Sequence, residues 1–208
     1  MALTLKPLNV LGAITGYYLD STSAFHGFLR TPRGSIISFD APGAAFGTQP
    51  SGINVRGAII GKAFDANGTH GFARQPDGSF TAFAPAGATH TVPNDINAQG
   101  VITGSYHDES LVFHGFVRAS NGAITTFDLP GSTFTLAGAV NSAGMATGHY
   151  GDAVGVLHGF VRARTGAITT FDVPDSAGTL ALGINPRGVI TGAFFDSSGV
   201  AHGFLRRP

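Results

Sequence analysis

The chain has 208 residues, enough for one large domain or two small ones; its 12 basic and 12 acidic side chains cancel, so no net field draws nucleic acid or an anionic membrane. Charged residues make up 12% against a usual ~25%, while 43% of the chain is hydrophobic with 17 Phe, too apolar for a disordered segment. No Cys is present, which removes disulfides, thiol catalysis and Cys-based zinc sites, and no apolar run approaches the ~18 residues of a spanning helix.

The opening MALTLKPLNV has no apolar core of signal-peptide length, so no export signal is expected within it; residues 2–8 read instead as a first strand. Next come an Asn9-x-x-Gly12 turn, a run through Gly16, a turn marked by Asp20, the tripeptide His26-Gly27-Phe28 and Arg30. The His-Gly-Phe tripeptide then recurs at His70, His114, His158 and His202, each 44 residues after the last. The Asn-x-x-Gly pair recurs as Asn54/Gly57, Asn97/Gly100, Asn141/Gly144 and Asn185/Gly188. The Asp returns as Asp65, Asp108, Asp152 and Asp196, and the Arg as Arg74, Arg118, Arg162 and Arg206. A tail of the type Ile124-Thr125-Thr126-Phe127-Asp128 closes the first four copies.

Each copy holds four short β-type runs between turn residues; in the last two copies they are 167–172, 179–184, 189–194 and 201–205. No window carries helical periodicity over three turns. Four strands per ~44 residues, repeated, predict an all-β, five-bladed β-propeller. The chain is then a single domain, 1–208, with repeats of approximately 1–46, 47–90, 91–134, 135–178 and 179–208. A β-solenoid is the alternative, but its rungs are usually shorter. The last copy stops at Leu205-Arg206-Arg207-Pro208 before a fourth strand, so 19 strands are expected, with blade 1 closing on a three-stranded blade 5. The free edge of that blade is a place for self-association.

The run Gly183-Ile184-Asn185-Pro186-Arg187-Gly188-Val189-Ile190-Thr191-Gly192, followed by His202-Gly203-Phe204, resembles a bacterial extracellular repeat family named after its His-Ala-Phe motif, with Gly here in place of Ala. The resemblance spans all five copies. It implies a propeller-like module, secreted or at the cell surface, and supplies no catalytic residue.

A residue found in every copy serves what every copy needs, which is folding. His26, His70, His114, His158 and His202 are therefore read with Asp20, Asp65, Asp108, Asp152 and Asp196 as structural pairs tying a turn to a strand. Asp40 is expected to join His26 and Asp20. The repeated Phe are read as core between blades, the Gly beside each as allowing close approach of sheets, and the Arg as bonding neighbouring carbonyls or carboxylates.

Residues that break the repeat are the functional candidates. They are Tyr17, Tyr18, Lys62, His90, Tyr106, His107, Glu109, His149 and Tyr150, all expected at the end of the molecule that carries the Asp turns. Aromatic rings with a few polar groups suit a small ligand or a glycan, and a non-catalytic binding module is the first reading. The second is a cofactor-independent lyase, isomerase or hydrolase. In it His107 or His149 serves as base, Glu109 orients or donates, and Lys62 or a Tyr stabilises an anion. No nucleophile elbow, phosphate loop or dinucleotide fingerprint is present, and the turn oxygens are too few for a metal site; neither metal nor organic cofactor is expected.

Overall fold

A computed structural model describes residues 3–208; Met1 and Ala2, the latter the first residue of the expected first strand, lie outside the described residues. Nineteen strands and no helix are present among them. The first antiparallel meander is β1 (Leu3–Leu8), β2 (Ile14–Leu19), β3 (Phe25–Arg30) and β4 (Ile36–Phe39). The second is β5 (Gly47–Ile53), β6 (Ile59–Asp65), β7 (Gly68–Arg74) and β8 (Phe80–Phe83). The third is β9 (His90–Ile96), β10 (Ile102–His107), β11 (Phe113–Arg118) and β12 (Ile124–Phe127). The fourth is β13 (Phe134–Val140), β14 (Ala146–Gly151), β15 (Leu157–Arg162) and β16 (Ile168–Phe171). The last has three strands, β17 (Gly178–Ile184), β18 (Ile190–Phe195) and β19 (Ala201–Arg206). Single parallel pairings, Phe25 with Gly47 and Thr69 with His90, join the first three meanders into one sheet.

The same local chemistry builds every meander. The Asn of each Asn-x-x-Gly turn accepts backbone N–H bonds from two and four residues on, as Asn97 does from Gln99 and Val101, while the Gly takes positive φ. A bulge recurs where each first strand meets its second, which adds twist. The core lies between successive sheets, on the Phe of each motif: Phe72, Phe116 and Phe160 are at most 1% exposed.

One reading of a repeated residue is corrected here and another is extended. The Gly of His-Gly-Phe does not serve sheet-to-sheet approach. It seats the Phe of the fourth strand of its own sheet, and a Cβ on Gly27, Gly71, Gly115 or Gly159 would lie 2.6 to 2.7 Å from that ring. The Arg makes the expected carbonyl bond in two copies, Arg74 to Gln75 and Arg162 to Ala163 (both 3.4 Å), but a ring contact unforeseen in the sequence accompanies it. Arg74, Arg118, Arg162 and Arg206 lie 4.7 to 5.0 Å over the fourth-strand Phe39, Phe83, Phe127 and Phe171 of the preceding meander. Flat guanidinium on ring face is favourable, and it fills the space between sheets with one residue per repeat.

Successive meanders are also laced by a polar ladder. Asn9 Nδ2 donates to the Asn54 carbonyl (3.0 Å), Asn54 to Asn97 (3.0 Å), Asn97 to Asn141 (2.9 Å) and Asn141 to Asn185 (3.1 Å). The ladder ends there. The expected closure of the first meander on the last is not formed, and no packing of substance returns from β17–β19 to β1–β4 among the described residues. Leu182 and Leu205 at one end and Val10 and Leu11 at the other are more than half exposed.

Candidate functional site

The antiparallel path places the Asp turns and the meander-to-meander links at one end of the molecule, and the Asn turns at the other. At the Asp-turn end each motif His meets one or two carboxylates of its own meander. His26 Nδ1 lies 3.0 Å from the Asp40 carboxylate and its Nε2 3.3 Å from Asp20. His114 sits between Asp128 (2.8 Å) and Asp108 (3.5 Å), and His158 between Asp172 (3.0 Å) and Asp152 (3.4 Å). His70 meets Asp65 at 3.2 Å and His202 meets Asp196 at 2.8 Å.

At His26, His114 and His158 the two carboxylates favour the imidazolium. The pKa of His26 is raised by Asp40 and then Asp20. At His114 and His158 burial opposes the charge, but the carboxylates outweigh it and the pKa is again raised. Asp20, Asp108, Asp152 and Asp196 are held below the usual carboxylate range by bonds from their own turns and from the His.

The repeat-breaking residues distribute unevenly. Tyr18 and Tyr150 stack on His26 and His158 at 5.2 and 5.1 Å, and Tyr106 lies 5.0 Å from His114 and is itself buried. Tyr18 also shares a 2.8 Å bond with Ser38. Tyr17 packs edge-on against Phe25 (5.5 Å), and the Lys62 ammonium lies 5.6 Å over Phe64. Lys62 and His149 occupy equivalent positions in separate meanders. His149 is turned toward the next meander; burial lowers its pKa, and a bond with the Ala181 backbone partly offsets this.

Two candidates come together. His90 begins β9 and His107 ends β10, directly opposite each other in the register. Their rings stack with centroids 4.3 Å apart, and Phe113 meets His107 edge-on at 5.2 Å. The Thr89 hydroxyl is 3.1 Å from His107 Nδ1 and 3.1 Å from the carbonyl oxygens of His107 and Asp108, and 3.4 Å from His90 Nδ1. Donating to a carbonyl, it accepts from Nδ1–H of His107 and leaves that ring's Nε2 as the basic nitrogen. His90 is exposed, and its pKa is lowered by partial desolvation and by the neighbouring His107 charge. Glu109 stands exposed in the turn that follows His107.

Thr89 broke no pattern in the sequence and went unnoticed there; only the strand register brings it to the imidazoles. Two residues on, Thr91 is fully buried with an unbonded hydroxyl. Its counterparts Thr48 and Thr179 accept from the backbone N–H of Ala41 and Val173, but in this copy the corresponding stretch carries Pro85, which has no N–H.

The opposite, Asn-turn end carries two clefts. One of about 500 Å³ lies between the third and fourth meanders, lined by Gln99, Ser120, Ser142, Arg162 and Arg164 among others. A second of about 250 Å³ lies between the second and third, with Arg56, Gln75 and Arg118. No group of three or more His, Asp or Glu gathers as metal ligands among the described residues, and no helix among them is long and apolar enough to cross a membrane.

No protein-family model matches the chain, and no curated protein matches it in sequence. Solved structures do. A virginiamycin B lyase from Staphylococcus aureus superposes with a TM-score of 0.58 at 14% identity, over 97% of this chain and 68% of that one. A catalytically inactive His-to-Ala form of the Staphylococcus aureus lyase, solved with quinupristin, gives 0.53 at 15% identity, over 98% and 74%. A gluconolactonase from Xanthomonas campestris gives 0.53 at 14%, over 100% and 77%. The likeness is one of fold. These neighbours are propellers, and the chain is an all-β protein of propeller-like architecture. The resemblance to the His-Ala-Phe repeat rests on the repeated residues alone.

Proposed function

We propose that this chain is a small-molecule enzyme of lyase or hydrolase type that works without an organic cofactor, on a single domain of five blades, the last three-stranded. The observation that carries the proposal is the stacked His90–His107 pair at the Asp-turn end. Two imidazoles 4.3 Å apart resist double protonation, so one stays a free base near neutral pH. His90, exposed and with a lowered pKa, is that base, taking a proton from substrate or water. His107, its Nδ1–H held by Thr89, stacks beside that base with Nε2 as a second basic nitrogen, and Glu109 is the orienting or donating group. Supporting it, the structural neighbours are named as a lyase and a lactonase, and an alanine in place of one histidine inactivates the former.

The test is turnover of a panel containing virginiamycin B, quinupristin and gluconolactone. His90→Ala and His107→Ala are each expected to lower kcat/KM by about 10²- to 10⁴-fold while leaving the thermal midpoint in place. Unchanged activity in both variants sinks the assignment. Saturable binding of a glycan or small ligand without turnover would return the chain to the reading of a binding module, with Tyr17, Tyr18 and Tyr150 as its aromatic surface.

A further inference from the structure

The charges of the chain cancel in number but not in place. All ten arginines lie at the Asn-turn end, while ten of the 12 carboxylates lie in the Asp turns and the links at the other end; Asp77 and Asp95 are the exceptions. Every ion pair among the described residues joins an Asp to a His, so no arginine among them is paired with a carboxylate.

The larger cleft, between the third and fourth meanders, gathers part of this unpaired charge. Arg162 is 8% exposed; its Nε has no acceptor, and its Nη1 has only the Ala163 carbonyl at 3.4 Å. Burial lowers its pKa, and no carboxylate offsets the cost. Its face lies over Phe127, which leaves the edge of the guanidinium for an acceptor. The other polar side chains here break the repeat. Arg164 and Ser120 stand where the first two copies carry Pro32 and Pro76, and Ser142 stands where they carry Val10 and Val55. The Arg164 stem covers Gly144, its Cγ 3.6 Å or less from the place of a Cβ there, and the residue is exposed. At about 500 Å³ the cleft falls within the ~300–1,000 Å³ of small-molecule sites. Its neighbour of about 250 Å³ falls below that range, and has Pro76 and Ala98 in the places of Ser120 and Ser142. Neither a carboxylate nor an aromatic ring lines the larger cleft, so recognition there rests on charge and polar contacts rather than stacking.

We propose that this cleft binds a small polyhydroxylated anion, a sugar phosphate or a sugar acid. Arg162 and Arg164, on the wall of the fourth meander, take the oxyanion, for which a guanidinium fork is the matching donor. Gln99 and Ser120 on the facing wall, with Ser142 beside the arginines, bond the hydroxyl groups. A bare anion leaves that second wall unused.

The experiment titrates the whole chain calorimetrically with glucose-6-phosphate, glucuronate, glucose and inorganic phosphate. Saturable binding of at least one sugar anion is expected, about tenfold or more tighter than glucose or inorganic phosphate. The decisive variant takes its residues from other copies: Arg164→Pro with Ser142→Val. The same turns already accept Pro76 and Val55, so the melting curve is expected to hold while affinity falls about tenfold or more. Arg164→Ala alone, at an exposed position, is expected to cost about tenfold, and Arg164→Lys, which keeps the charge but not the fork, less. No saturable binding of either sugar anion at millimolar ligand overturns the proposal. So does binding that these variants leave unchanged, that glucose matches, or that His107→Ala abolishes, since the last puts the ligand at the Asp-turn end. Inorganic phosphate bound as tightly as glucose-6-phosphate overturns it too, because the site is then one for a bare anion. A preference between the two sugar anions tells the phosphate ester from the carboxylate as the group that the arginines hold.

Discussion

A motif histidine held between two carboxylates makes stability depend on pH from both sides. His26, His114 and His158 have folded pKa values above the ordinary 6.5, so their contribution is complete below about 6.5 and is lost as pH rises through the raised values. Asp20, Asp108, Asp152 and Asp196 have depressed values, so theirs is complete above the ordinary 3.8 and is lost as pH falls. Thermal midpoints measured across pH are therefore expected to peak between about 4 and about 6.5. Replacing Asp128 and Asp172 together by Asn is expected to flatten the alkaline fall specifically. A midpoint that climbs steadily from pH 6 to pH 8 would contradict this. The positions of these residues were legible in the chain because they repeat at a fixed spacing. The atoms they meet were less so: spacing brings His26 toward Asp40, but nothing in it shows that Tyr18 stacks on His26, since a ring at that position also suits a ligand surface.

At the scale of the strand and turn, one Asn per repeat does two jobs. Its carbonyl oxygen closes its own turn and its amide crosses to the next meander, as Asn97 does with Gln99, Val101 and Asn141. Asn97→Ala removes both and leaves buried backbone groups unpaired; a loss of about 2–4 kcal/mol is expected in denaturant unfolding. Asn185→Ala removes only the turn bonds, because Asn185 has no successor to reach among the described residues, and is expected to cost about 1 kcal/mol. Equal losses would mean that the crossing bond contributes nothing. The sequence shows such an Asn as a turn former, and that half of its role was readable. The crossing bond was not, since it joins residues 43 to 45 positions apart and depends on how sheets stack. The Arg residues teach the same lesson: their recurrence was plain, but a guanidinium over a preceding Phe could not be told from one bonded to a carbonyl.

For the whole molecule, the open arc decides where stability resides. The inner meanders are covered on both faces, while β17–β19 is covered on one and its motif Phe204 is only half-buried. In a stack of repeats each unit is stabilised by its neighbours, so ends open first. Hydrogen exchange is expected to show the amides of β18 and β19 exchanging well ahead of those of β6, β7, β10 and β11. Uniform protection would indicate a closed ring. The strand count and the missing last strand followed from the repeat, whereas the failure to close did not: ring closure depends on the angle between sheets, and no residue pattern encodes an angle directly. The pairing of His90 with His107 was equally hidden, because the two come from different strands 17 positions apart and meet only through the register.

The polarity of the Asn ladder has a temporal meaning. Every crossing bond runs from an earlier Asn to the carbonyl of a later one. As the chain leaves the ribosome amino end first, a given turn exists before the acceptor that completes it. Each meander thus waits, half-satisfied, until the next has emerged, so that folding trails translation by one repeat.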